Sequence, residues 1–449
     1  MGLVLPRLEI VRRLRPVDLL AGGRPALSRS AGGRVPFAAA APYVATTTAA
    51  RDGAALALHL GGHRLGARLD DGSVSLVVDG GSGGARTLRS RRFHRADSPT
   101  ELGLSLTGAH LTAWTREAAG WVARARHDLR DPDTSRLVPD VRDEAVLAAL
   151  EVDLPPWGGD IGPFGQLGLR DVRLVTAEDG TPVREGGRLW LTATSAGPGF
   201  FDTAHTSVWS LDPRSYDLAH AADLFFRRPD RPGVFGDHAT HLVRTEDGWL
   251  VATSTWGDFE TPRTRAGRRT DAGLRVTLAA SDADLLRGTH VLDTRELPLP
   301  TDGLGSVATW DPYLLRRDDG WLVGFVSARR FFDFHPALAG GPRLEDLTLL
   351  GAAVDRRSTE GTTLLEVDGR TLVLASDGRE SRRGQRARFP VFDTAMTEVG
   401  ALDAPYPTNL PWPSLVHVDG TWLMASFNGR PAGGDLLGYG THGDLVLMR

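Results

Sequence analysis

The stretch WDPYLLRRDDGWLVGFVS, residues 310–327, carries the pattern that organises this chain. It opens with an aromatic residue and an acid, Trp310 and Asp311, then runs through apolar residues 313–315. It turns at Asp318, Asp319 and Gly320 and returns to a closing serine, Ser327. Four more segments end the same way: GRLWLTATS at Ser195, GWLVATS at Ser254, GRTLVLAS at Ser376 and GTWLMAS at Ser426. The unit recurs roughly every 50–70 residues. Trp, Leu and Val dominate each segment, as in half-buried strands. In four of the five a polar turn joins it to a shorter apolar run upstream. Asp-Gly enters the second strand in HLVRTEDGW, YLLRRDDGW, LLEVDGR and LVHVDGT, a strong hairpin signal.

Hairpin units of this length, repeated five times, read as a five-bladed β-propeller over residues 161–449. The C-terminal GYGTHGDLVLMR is expected to supply its last strand. The 53 glycines and 28 prolines suit many turns. A weak helical period is confined to residues 142–150. Residues 36–137 alternate differently, in runs such as ALALHL, VSLVV, LGLSL and WVARARHDL, and read as an accessory β-sandwich. A competing reading makes GWVARAR a sixth blade. Residues 1–35 are basic and read as an arm or strap, and residues 138–160 as a linker. The fold class is therefore all-β, a sandwich followed by a propeller.

Composition removes several chemistries. The chain has 449 residues, a formal charge of −4 and no cysteine. Thiol catalysis, disulfides and thiolate metal sites are excluded. All 52 basic residues are arginine, so no lysine Schiff base or P-loop lysine exists. The weak net charge points to neither nucleic acid nor membrane. No apolar run approaches 18 residues. The N-terminus, MGLVLPRLEIVRRLRP, has charges scattered through it and does not read as a secretory signal. A removed signal remains compatible with it, so the compartment is open.

Inner propeller strands converge on an axis, so the starts of equivalent strands should meet. Anchoring the repeats on the apolar pair of each first strand puts Asp171, Ala239, Asp311, Gly361 and Trp412 in one column. Arg170, His238, Trp310, Glu360 and Pro411 stand one residue earlier. Three units thus open with a carboxylate. An Asp at a strand start also commonly caps a turn. Three acids converging in a funnel are what glycoside hydrolysis needs: an acid for the leaving oxygen, a base or nucleophile, and a neighbour that tunes the acid.

These motifs resemble the furanosidase-type five-bladed propellers, closest to glycoside hydrolase family 43 with its arabinanases, arabinofuranosidases and xylosidases. The fructosidase families share that architecture. LRDVRLV resembles the first-blade strand bearing the base, WDPYLLRRDDGWLVGFVS the Asp-Pro strand, and EGTTLLEVDGRTLVLASDG the acid-bearing strand. The resemblance implies Asp171 as base, Asp311 as modulator and Glu360 as acid. The chain departs from the family pattern at Val172, where proline is usual, and at Thr362, where Glu-Gly-Pro is usual. An N-terminal sandwich is also unusual there. That sandwich weakly resembles laminin-G and concanavalin-like domains.

His238, Trp310, Trp412, Trp256 and Arg329 are candidate substrate-binding residues; flat aromatic faces suit sugar rings. Phe259, Phe331 and Phe332 are weaker candidates. His238 and His241 form an HxxH whose strand spacing argues against a metal pair. His205, His335, His417 and His442 are single histidines without an assigned role. Two arginine-rich loops, residues 263–273 and 378–388, are solvated faces or recognise an anionic group. The expected partner is an oligo- or polysaccharide, with no protein partner, no required cofactor and no catalytic metal; a structural calcium ion or a water is expected on the axis. The rival readings are a non-catalytic carbohydrate-binding propeller and a phosphorylase or fructosidase-type relative.

Overall fold

The computed structural model describes residues 5–24, 26–259, 273–330, 332–408 and 410–449. Phe331 and all of the basic loop 263–273 except Gly273 lie outside the described residues. Five sheets, antiparallel through their core strands, form the C-terminal part. Their first strands are Leu169–Leu174, His238–Thr245, Ala308–Arg317, Thr359–Val367 and Ser414–Val418. Each touches the next, and the last touches the first, so the ring closes as five blades. The second strands are the serine-closed segments, Arg188–Ser195, Gly248–Ser254, Gly320–Arg330, Arg370–Asp377 and Thr421–Asn428. The hairpin turns at Asp368-Gly369 and Asp419-Gly420 have both residues left-handed, as a two-residue type I′ turn requires.

Alternating residues of each blade pack against the next. Leu364, Val373 and Phe392 of blade 4 meet Tyr313, Leu315 and Leu338 of blade 3. Blade 5 is built from both ends of the described chain. Asp444–Met448 is its third strand, and Ile10–Leu14 pairs antiparallel with it as the outer fourth. The C-terminal segment thus supplies the last strand in chain order, while the N-terminal strand takes the outer edge of the blade.

Two further sheets face each other across an apolar core. One carries Tyr43–Ala49, Glu101–Thr107, His110–Glu117 and Gly120–Asp128; the other carries Ala54–Leu60, His63–Asp70 and Ser73–Asp79. Leu104, Leu106 and Leu111 interleave with Leu56, Leu58 and Leu76, all at 0% exposure. This is a β-sandwich. GWVARAR lies in its edge strand Gly120–Asp128, so it is no sixth blade.

One segment differs from expectation. Residues 138–160 are not a linker. Glu151–Leu154 pairs with two neighbours in one sandwich sheet, and Gly159–Gln166 lies inside the other. The inward pair Val152 and Leu154 is short, and Pro155-Pro156 cuts its pattern off. Of the two readings of residues 1–35, the described part is a strap and not a loose arm. Besides Ile10–Leu14, strands Asp18–Leu20, Leu27–Arg29 and Gly33–Pro36 are stitched into the two sandwich sheets. These strands have only three to five residues, and all but Asp18–Leu20 carry exposed arginines, so no apolar period marks them. The helical period becomes one short helix, Glu144–Ala148, capped by the Asp143 carboxylate.

Candidate active site

Four of the five inner strands begin with the same irregularity. Pairing to the second strand slips between Arg170 and Arg173, His238 and His241, Trp310 and Tyr313, and Glu360 and Thr363. The residue after the slip is left-handed each time: Asp171 at φ 52°, Ala239 at 63°, Asp311 at 55° and Gly361 at 74°. Such backbone costs about 1–3 kcal/mol per non-glycine residue, and short polar side chains tolerate it best. A bulge re-aims side chains. Here it turns neighbouring residues, Arg170 with Asp171, His238 with Ala239 and Trp310 with Asp311, into one cavity.

That cavity measures about 480 Å³, within the range of small-ligand pockets. It collects Asp171, Asp311, Glu360, His238, Trp256, Trp310 and Trp412 from all five blades. Its wall is aromatic. Phe201 lies 4.6 Å from Trp256, Trp256 5.6 Å from Trp310, and Trp310 5.2 Å from Phe334. The half-exposed Phe332 also lines it.

The three carboxyl groups influence one another. Burial pushes Glu360 up to about 8, and the charge of Asp171 adds to the rise. The indoles of Trp412 and Trp310 favour its ionised form and partly oppose this. Both indole N–H groups are buried without another acceptor, which leaves Glu360 as the group they serve. Asp311 is raised well above the usual carboxylate range, by burial first and then by Glu360. Asp171 is raised by burial, while Arg170 hold its charge in place from 3.3 Å and Thr194 bonds it. Like charges so close resist joint ionisation.

Backbone contacts fix these groups. Gly361 N donates to Asp311 Oδ2 at 3.2 Å, tying that carboxylate to the residue after Glu360. The closing serine of blade 2, Ser254, accepts from Asp311 N at 3.0 Å. A Cβ on Gly361 would stand 2.3 Å from Trp412 Cδ1, so the glycine lets the indole lie on the backbone beside the acid.

Beneath the cavity lies a polar ring that the sequence reading did not single out. The residues just ahead of the apolar anchors are Arg173, His241, Tyr313, Thr363 and Ser414. Arg173, from blade 1, donates to Thr362 O at 2.6 Å and Asp311 O at 3.0 Å. Its guanidinium lies 4.5 Å from the Trp412 ring and 5.4 Å from Tyr313. One side chain reaching blades 3, 4 and 5 from blade 1 crosses the axis. Burial lowers its pKa to about 10, with Asp311 opposing, so it remains a cation at neutral pH. A calcium ion, expected on the axis, does not fit beside this buried cation. The signal was a column of polar residues at an otherwise apolar strand centre.

The remaining candidates divide. His238 is neutral: burial holds its pKa well below the usual histidine range. Its Nδ1 bonds Gly236 O at 3.1 Å, and its buried Nε2 has no protein partner. His241 faces elsewhere, stacked 3.9 Å from Tyr313. His442 joins the cavity, whereas His205 bonds Asp223, His335 is buried inside blade 3 and His417 packs on Trp422. Arg329 is a correction. Its guanidinium is spent on Asp333 in blade 3 and on Val354 O and Arg356 O in the loop to blade 4, away from the cavity. The arginine loop 378–388 reaches the cavity through Arg379 and Glu380.

No protein-family model matches the chain, and no curated protein matches it. Solved structures similar to it include a GH32 β-fructofuranosidase of Bombyx mori determined with sucrose. That match has 14% identity and a TM-score of 0.41, covering 62% of this chain and 59% of the silkworm enzyme. A family 117 glycoside hydrolase of Zobellia galactanivorans gives 11% identity and a TM-score of 0.43 over 63% and 84%. A GH43_1 enzyme of Xanthomonas citri gives 14% and 0.41 over 62% and 87%.

Proposed function

We propose that the protein is a glycoside hydrolase that cleaves the bond to a furanose or pentose sugar. The observation that carries this reading is the carboxyl triad in an aromatic cavity, with Glu360 held protonated to about pH 8. Glu360 is the general acid: protonated at neutral pH, it gives its proton to the leaving oxygen. Asp171, paired with Arg170, is the carboxylate that activates water or attacks the anomeric carbon. Asp311 holds the residue after Glu360 in place through its bond from Gly361 N, and its own carboxyl is raised by Glu360. Trp256, Trp310 and Trp412 offer stacking faces, and His238 Nε2 accepts from a sugar hydroxyl.

A purely binding propeller has no use for a carboxyl group held protonated to this degree. The test is release of 4-nitrophenol from a panel of aryl arabinofuranosides, xylosides and fructofuranosides. Asp171→Asn abolishes this turnover, and Glu360→Gln abolishes turnover of an unactivated oligosaccharide, whose poor leaving group needs the acid, while circular dichroism stays unchanged in both. Retained turnover in both variants overturns the assignment. A rate that requires phosphate identifies phosphorolysis instead.

A further inference from the structure

The sandwich touches the propeller at the rim of this cavity, through two loops. The first joins the second and third strands of blade 1 and contains the turn Phe201–Thr203. Asp202 in that turn is 3% exposed. Its Oδ2 meets His110 Nε2 of the sandwich at 2.9 Å and is also paired with Arg130. Arg130 is held in turn by Asp128 at 2.8 Å. Burial would push Asp202 up, but His110 and Arg130 outweigh it and hold the carboxylate charged. Arg126 donates to Pro198 O at 3.3 Å and Tyr43 Oη to Ala204 O at 2.8 Å, so four sandwich side chains grip one loop.

The second loop, residues 429–443, joins the second and third strands of blade 5. Ala123 N of the sandwich edge donates to Gly433 O at 2.9 Å, and Leu437 is buried in a cluster with Trp114 and Leu19. The two loops lie directly on each other, since a Cβ on Gly440 would stand 1.6 Å from Gly199 O.

Both loops end on the same residue, Arg170. Its Nη1 donates to Gly440 O at 3.0 Å, its guanidinium lies 5.6 Å from the Phe201 ring, and its Nε is 3.3 Å from Asp171. We propose that the sandwich is a positioning part of the active site, setting Phe201 and Arg170, and through Arg170 the orientation and charge of Asp171. Asp202, His110 and Arg130 are then positioning residues. The inference rests on the glycosidase reading for its effect on turnover, and on geometry alone for its effect on the loops.

The test uses the full chain with Asp202→Asn, His110→Leu and His110→Gln. Gln retains an N–H to offer Asp202, and Leu does not. Amide hydrogen exchange across residues 196–204 and 429–443 is expected to accelerate in Asp202→Asn and His110→Leu and to recover in His110→Gln. With an aryl glycoside, KM rises about 5-fold or more, and the acidic limb of kcat/KM moves upward by about half a pH unit as Arg170 loosens. Asp171 is faced by Arg170, Arg173, Thr194, Asp311 and Glu360, and among these the substitutions disturb Arg170. Should Asp202→Asn fail to fold, Arg126→Met removes a different tie to the same loop.

Unchanged exchange in both loops overturns the inference. Looser loops with unchanged KM and pH profile overturn the link to Asp171. If the unmodified protein turns over no glycoside, the functional reading fails. The positioning claim is then judged on loop exchange and on Trp256 fluorescence, which reports its contact with Phe201.

Discussion

Glu360→Gln separates catalysis from stability in one substitution. In the folded protein the Glu360 carboxyl stays protonated up to about 8, against 4.5 for an ordinary glutamate. Between those values the unfolded chain is charged at this position and the folded chain is not. Folding then takes up a proton, so stability contributed here is complete below pH 4.5 and is lost as pH rises toward 8. The slope is at most about 1.4 kcal/mol per pH unit, which gives roughly 3–4 kcal/mol between pH 5 and pH 8. Glutamine carries no proton to lose, so the variant lacks this slope. Urea unfolding at pH 5, 6, 7 and 8 should show it gaining on the parent protein as pH rises. Turnover moves the other way. Loss of the general acid costs about 10²–10⁴-fold on substrates with poor leaving groups. In the parent protein kcat/KM falls above about pH 8 as Glu360 ionises. A stability difference that is flat from pH 5 to 8 refutes the argument that Glu360 is held protonated, as does turnover within 10-fold of the parent.

Asp171→Asn removes a negative charge that raises Glu360, so the Glu360 midpoint drops below about 8; a fluorescence titration of the flanking Trp310 and Trp412 reads it. Gly361→Ala meets the Trp412 ring at 2.3 Å from a left-handed backbone, and should lower stability by about 3 kcal/mol or more in thermal unfolding. Arg173→Met strips the axis of its cation and leaves two carbonyls and Asp311 uncompensated. A loss of about 3–5 kcal/mol is expected, measured by denaturant unfolding.

The ring of blades was legible because its signal is periodic and local. Each hairpin announces itself by an Asp-Gly turn and a Trp/Leu/Val strand, and the bulge column could be aligned on the apolar pairs. That column brought Asp171, Asp311, Glu360, His238, Trp310 and Trp412 to one cavity without any knowledge of the fold's dimensions. What escaped was of two kinds. Strands of three to five residues, such as Ile10–Leu14 and Glu151–Leu154, bury too few side chains to show a period, and their partners lie far away in the sequence. Arg329 failed for another reason. Its position after an inner hairpin resembles that of Trp256, but three acceptors in its own blade and the loop to the next claim its guanidinium, and sequence alone does not show where a long side chain is spent.

The absence of lysine looked like a compositional accident, and as composition it still is one. In the fold, however, several of the arginines stand where an ammonium would not serve. Arg173 must satisfy carbonyls on two different blades while lying flat on an indole, which a planar fork does and a compact point charge does not. Arg170 divides its guanidinium between Gly440 O and Asp171 and lies over the Phe201 ring. Arg228 joins the last strands of blade 1 to Asp237, at the entrance to blade 2, and to Asp258, and Arg356 bridges Asp377 and Glu398 within blade 4. In each case one guanidinium replaces two or more separate donors at a blade junction or loop. Exchange of Arg173 for lysine would keep the charge and lose the second carbonyl, so charge conservation at this position is a poor guide to whether the site survives.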